Sequence, residues 1–211
     1  VDDSLGKVIG GHFRVFRRAR GYVPRPVILA RELTPVLAVG GMLKSTFCLA
    51  RGCEAVLSQH LGDLEDLRGE EFFDRCLARL RDLLCFTPRI VARDLHPDYP
   101  SSHLAARLAA EFGAELISVQ HHHAHAAAVL AEHRLETPVI AVILDGTGWG
   151  GDGTVWGGEV LRVEADACER IGHLDHFPLP GGDAAAREPW RSAAALIFRQ
   201  WGIGVDGDLP F

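Results

Sequence analysis

Four of the eleven histidines stand in one five-residue run, HHHAH, at positions 121–125. If this run is helical, His121 and His125 share a face with about 6 Å of rise between them, and both imidazoles reach one metal ion. His122 and His123 then point roughly 100° and 200° away, so a single ion does not use all four. The other reading is a solvated helix start with one histidine hydrogen-bonded in the interior. A zinc protease of the HExxH kind is excluded, because position 122 is His rather than Glu. Two imidazoles also leave a site incomplete, since a catalytic metal calls for a further protein ligand and an open position.

Asp145 is available as that ligand. It closes the apolar run VIAVIL, where a strand gives way to a glycine turn. Carboxylates at the rim of a sheet are well placed for metal and phosphate chemistry; an ordinary Asp-Gly turn is the alternative. The glycines that follow favour chemistry. Gly146, Gly148, Gly150, Gly151 and Gly153 present backbone N–H groups unscreened by side chains, and such nests bind phosphate.

A second glycine turn, GGMLKST at 40–46, is not a P-loop, because Leu43 rather than glycine precedes Lys44 and both flanks read as strand. It reads as a hairpin with Lys44 at its tip, facing a phosphate or solvent. Together Gly40, Gly41 and Lys44 on one hairpin and residues 145–153 on the other would form two jaws around a nucleotide's phosphates. Asp94, His96 and Asp98 in RDLHPDYPSS lie in a proline-stiffened loop and read as structural. Asp183 reads as a helix cap or as part of an anion-binding helix start. Cys48 and Cys53 lack a basic partner and read as buried small residues rather than nucleophiles. The five arginines from Arg14 to Arg25 suit either an adenylate or the charged face of a strand.

The elements that must position these groups follow from periodicity. Residues 1–23 alternate as a hairpin turning at Gly10-Gly11, and the prolines of YVPRPVIL suggest an extended linker. Residues 34–60 read as three short strands. A helix covers 70–86, with its apolar residues at helical spacing. A strand at RIVARDL, a helix capped by Ser101 or Ser102 and ended by Gly113, a strand at ELISVQ and a helix over 121–133 follow. PVIAVILDG reads as a buried strand, TGWGGDG as a turn, TVWGGEVLRVE as the returning strand, and residues 184–201 as one helix. This order fits an α/β fold: one half of a ribonuclease-H-like unit and the opening of a second.

With 47% apolar and 24% charged residues, the 211-residue chain has an ordinary globular composition. Its net charge of -6 argues against general nucleic-acid binding. No apolar run reaches the ~18 residues of a membrane span. Five cysteines without a CxxC pair read as reduced cytosolic thiols, and so imply a cytoplasmic location. The missing initiator Met and the abrupt end DGDLPF suggest a segment of a longer protein.

Taken together, VQHHHAHAAAVLAEH, LDGTGWGGDGTVWGGE, LKSTFCLARGCEAVLSQHLGDLE, DLHPDYPSS and PGGDAAAREPWR closely resemble the HypF family, the carbamoyltransferases of nickel-iron hydrogenase maturation. The resemblance runs over nearly the whole chain. It implies the tail of a YrdC-like domain at 1–23 and a linker at 24–33. It then implies the first lobe of a carbamoyltransferase domain of the actin-like ATPase fold at 34–137, and the start of a second lobe at 138–211. It further implies that carbamoyl phosphate and ATP yield carbamoyl adenylate, whose carbamoyl group passes to the C-terminal cysteine of HypE. His121, His125 and Asp145 would hold one divalent metal, zinc or iron, with a fourth ligand beyond Phe211. Lys44 and Asp145 would be catalytic, and Gly40, Gly41, Lys44, Gly146, Thr147, Gly148, Gly150 and Gly151 would contact nucleotide or phosphate. Neither nucleic acid nor membrane is expected as a partner, and the fragment is not expected to run the full reaction alone. The rival readings are a threonylcarbamoyl transferase acting on tRNA and a non-catalytic metal-binding module.

Overall fold

The computed structural model describes residues 3–64, 67–164 and 167–202. The opening alternation folds as expected: β1 (Leu5–Ile9) and β2 (His12–Arg17) pair antiparallel, with Ile9 opposite His12 across the Gly10-Gly11 turn. Both glycines have positive φ, which the tight turn requires.

Residues 27–33, read as a linker, are instead hydrogen-bonded as the first part of β3 (Val27–Ala38). The prolines at 24 and 26 precede the strand, so its β-branched start is free to pair with β4 (Cys48–Leu57), where Val27 faces Ala55. Two strands therefore stand where three were expected. The segment between them is the glycine-turned hairpin loop expected around Lys44, and the expected break at Arg51-Gly52 lies inside β4; the backbone of the loop is tied from the side. Ser45 N donates to Gly62 O, Leu61 N to Ser45 O and Leu64 N to Met42 O. Cys53, expected to be buried, is exposed on β4, while Cys48 is half-buried and burial pushes its thiol up to about 11.

The remaining strands of this sheet are β5 (Ile90–Asp94) and β6 (Glu115–Val119), giving the order β4-β3-β5-β6. β3, β5 and β6 run parallel, so each crossover needs a helix. These are α1 (Leu67–Leu84) and α2 (Pro100–Phe112). Phe73 and Leu77 of α1 and Leu104, Ala105 and Leu108 of α2 meet Leu37, Val39, Phe47, Leu49 and Val91 in the main core. The start of α2 differs from expectation. Pro100 occupies the first turn and Tyr99 the cap position, while Ser101 and Ser102 lie fully buried inside the helix. Gly113 ends it in the left-handed conformation, as expected.

After β6 comes α3 (His121–His133), which packs on a second, antiparallel sheet of β7 (Val139–Trp149), β8 (Val155–Val163) and β9 (Cys168–His173). β7 is not the fully buried strand its apolar run suggested. Val139, Ala141 and Ile143 pack toward α3, but Ile140, Val142 and Leu144 are 60%, 65% and 80% exposed. β9 was not anticipated. The closing helix is broken into α4 (Asp183–Arg187) and α5 (Pro189–Trp201), because Pro189 lacks the N–H to continue it. Gly182, not Asp183, holds the cap position, and Asp183 is the first helical residue.

Candidate metal centre

The start of α3 fixes the site. Gln120 caps the helix by accepting the His123 N–H at 2.9 Å, so the first turn is helical from His121 onward. His121 and His125 therefore stack one turn apart, with their Nε2 atoms 3.2 Å apart. Asp145 reaches them from β7. Its Oδ2 lies 3.0 Å from His121 Nε2 and 3.4 Å from His125 Nε2. Among the described residues these three form the one His/Cys/Asp/Glu group arranged to hold an ion.

The approach of β7 to α3 depends on Gly148. A Cβ there would stand 2.6 Å from His122 Cε1 and 3.0 Å from His121 Cβ, so only glycine admits this contact. Gly150 is equally constrained, since a Cβ would overlap the Trp156 indole. These glycines serve close approach more than a bare phosphate nest. Gly150 N already donates to Thr154 O, and Gly146 N to Asp145 Oδ1. Thr147, expected in the turn, is exposed on β7, which runs on to Trp149; Gly151 and Gly153 are exposed at the turn, where Gly153 N donates to Gly150 O.

Asp94, read as structural, has a direct part in the site. Its Oδ2 lies 2.8 Å from His121 Nδ1, from the end of β5. Burial pushes the Asp94 carboxyl up, but the hydrogen bonds from His121 and from the His96 N–H outweigh it and hold the group below its usual range. The Asp94 bond raises His121, against the opposing effect of burial, with further support from both carboxylate charges. In the neutral ring Asp94 keeps the proton on Nδ1, and the Nε2 lone pair faces Asp145 and His125.

Three acceptor atoms thus converge, and Asp145 Oδ2 is buried without a hydrogen-bond partner. Such an arrangement calls for a proton or a metal cation among the three atoms. The edges of 3.0, 3.2 and 3.4 Å match the ~3.0–3.4 Å between donors that share an ion at bonds of about 2.1 Å. The residues present fit a divalent metal. The side chains are 26%, 53% and 30% exposed for His121, His125 and Asp145, so one side of the cluster is open to solvent.

Behind the turn, a network that the sequence reading missed holds the β7–β8 hairpin. Buried Glu159 receives Arg170 Nε at 2.6 Å and Nη2 at 3.1 Å, together with Gly157 N. The Arg170 guanidinium lies over the Trp156 ring, and Asp152 Oδ1 accepts from Trp156 Nε1 and Thr154. The Thr154 hydroxyl and N–H lower the Asp152 carboxyl to about 2.

Lys44 is exposed on the 39–47 loop, its backbone N–H bound to Asp63 Oδ1 at 2.6 Å. Gly40 is exposed and Gly41 half-buried beside it. No hydrogen bond or ion pair among the described residues joins this loop to the histidines.

Comparisons with known proteins agree with one another. A family profile described as the HypF Kae1-like domain matches residues 31–132. A second, described as the carbamoyltransferase Kae1-like domain, second subdomain, matches 141–208. The chain is 52% identical to carbamoyltransferase HypF2 of Cupriavidus necator, over 99% of this chain and 26% of that protein. It is 45% identical to carbamoyltransferase HypF of Rhizobium leguminosarum, over 93% of this chain and 25% of the relative. A crystal structure of full-length HypF in the phosphate- and nucleotide-bound form superposes with a TM-score of 0.87 at 40% identity, covering 95% of this chain and 26% of that one. The chain thus spans about a quarter of the length of these relatives.

Proposed function

The chain belongs to the HypF family, and we propose that it supplies the metal-bearing part of a carbamoyltransferase. In this reading carbamoyl phosphate and ATP give carbamoyl adenylate, and the carbamoyl group passes to the C-terminal cysteine of HypE on the way to the cyanide ligand of nickel-iron hydrogenase. The reaction takes place in the cytoplasm, and the chain contributes one lobe of an actin-like ATPase fold with the start of a second near residue 138. The names of the relatives and the nucleotide- and phosphate-bound solved structure support this reading. No helix among the described residues is long and apolar enough to cross a membrane.

The observation that carries the proposal is the convergence of His121 Nε2, His125 Nε2 and Asp145 Oδ2 within 3.4 Å of one another. These residues would hold the metal, and imidazole with carboxylate suits zinc and iron alike. When bound, the ion supplies Lewis acidity toward the phosphate or carbonyl oxygens of the adenylate. Asp94 keeps His121 in the tautomer that offers Nε2 to the site. The exposed turn at Gly151 presents its backbone to a phosphate, and Lys44 offers an exposed cation to the same nucleotide. The acceptor thiolate attacks the carbamoyl carbon, the carbon–oxygen bond to AMP breaks, and AMP leaves with the electron pair. The nucleophile belongs to the partner, in keeping with cysteines here that have no activating base.

Replacing His121 and His125 together by Ala in the intact protein should abolish both bound metal and carbamoyl transfer to HypE. Metal content that does not change rules out the ligand assignment. Modified tRNA in place of carbamoylated HypE as the product would point to threonylcarbamoyl transfer instead.

A further inference from the structure

His122 follows the first ligand directly, yet it is wholly buried and its Nε2 has no hydrogen-bond partner. Its tautomer can be read from its neighbours. Gln120 Oε1 accepts the His123 N–H, and Gln120 Nε2 donates to Trp149 O at 3.1 Å. A donor on one side and a carbonyl on the other allow a single orientation of the amide. The Gln120 atom 3.0 Å from His122 Nδ1 is therefore an NH2 group, and Nδ1 must accept. A neutral ring then carries its proton on Nε2.

That Nε2–H lies 3.9 Å from Asp145 Oδ2, the other buried atom of the site without a hydrogen-bond partner. The separation is beyond hydrogen-bond range, but the two atoms are a donor and an acceptor shut in together. His122 is not a fourth ligand, because its lone pair is on Nδ1 and faces Gln120. We propose that His122 is a positioning residue: its Nε2–H, locked by Gln120, faces the Asp145 carboxylate at 3.9 Å and holds it against the histidine pair by charge–dipole attraction. Asp94 then orients His121 from one side while His122 orients Asp145 from beneath, so two of the three donors have a fixed partner. This inference rests on the metal-site reading of Asp145.

Selective 15N-histidine labelling of the intact, metal-free protein should show His122 neutral with its proton on Nε2. A charged ring, or a proton on Nδ1, overturns the proposal. Zn2+ affinity, measured by competition with a chromophoric chelator, should fall about tenfold in His122→Phe, which keeps a ring but removes the donor. His122→Gln returns an N–H near the same point and should recover most of that loss. Equal Zn2+ affinity in a folded His122→Phe protein sinks the idea. If that variant does not fold, the 15N reading of wild-type His122 carries the test without any substitution, and a proton on Nδ1 there is equally fatal. Failure of the underlying metal reading looks different: wild type and the His121→Ala, His125→Ala double variant would then bind Zn2+ alike.

Discussion

The four-stranded sheet and the three-stranded sheet are held together by different means. In the first, α1 and α2 bury Phe73, Leu77, Leu104 and Leu108 against Leu37, Leu49 and Val91, a broad apolar cluster, although Ser101 and Ser102 of α2 are buried as well. In the second, the buried set shrinks to Leu161 and Val163 with Ala126 of α3, and the outer row of β7 remains open. What fastens its far end is polar: Glu159, Arg170, Trp156 and Asp152. The site stands where the two regions meet. α3 packs on β3 as well as on β7 and β8, and His121 bonds back to Asp94 of β5 while facing Asp145 of β7. A rigid apolar body can thus set the histidines while a thinner, polar-laced hairpin brings the carboxylate to them.

The sharpest way to break this comparison is a pair of truncations. Phe73→Ala should cost about 3–5 kcal/mol in denaturant unfolding, because its ring is completely enclosed. Leu144→Ala, on the open row, should stay within about 0.5 kcal/mol. A comparable loss at both positions would show that the β7 row is covered after all. Next in size, Arg170→Ala leaves Glu159 buried and unpaired and should cost about 3 kcal/mol. A cost near zero would mean that the network is ornamental and that α3 alone holds the hairpin.

The smallest effect separates the two carboxylates. Asp94→Asn should weaken Zn2+ binding about 10-fold or more without removing a ligand, as a chelator titration would show. The metal-free pH profile follows from the shifts. Asp94 is held low, so its contribution to stability is present above the unfolded carboxylate range and fades as pH falls through its folded value. His121 is raised, so its contribution is complete below the unfolded imidazole range and fades as pH rises through its folded value. Unfolding free energies should therefore show a plateau between the two, flattened in Asp94→Asn. An unchanged profile in that variant would detach Asp94 from His121.

Much of the α/β order was legible from periodicity. α1, α2, α3, β5, β6 and the first hairpin carry their patterns within a few residues. The misreadings share a cause. A third strand was expected after Arg51-Gly52 because a glycine reads as a break, but β4 runs through it with Gly52 at positive φ. β7 looked buried because an apolar run says nothing about how many faces are covered. Ser101 and Ser102 looked like caps until Pro100 set the helix start one position earlier.

For the site, the sequence by itself determined that His121 and His125 share a face, because residues four apart on a helix superimpose by covalent geometry alone. It also determined that Asp145 ends an apolar strand. Only the tertiary structure decided that β7 passes close enough for that carboxylate to meet the histidines. It alone placed Asp94 behind His121 across 27 residues of sequence, and gave His122 a locked proton instead of a bystander's place. Spacing fixes direction within one element, but the meeting of elements depends on which surfaces pack. Here that was settled by a glycine at 148, where no side chain would fit.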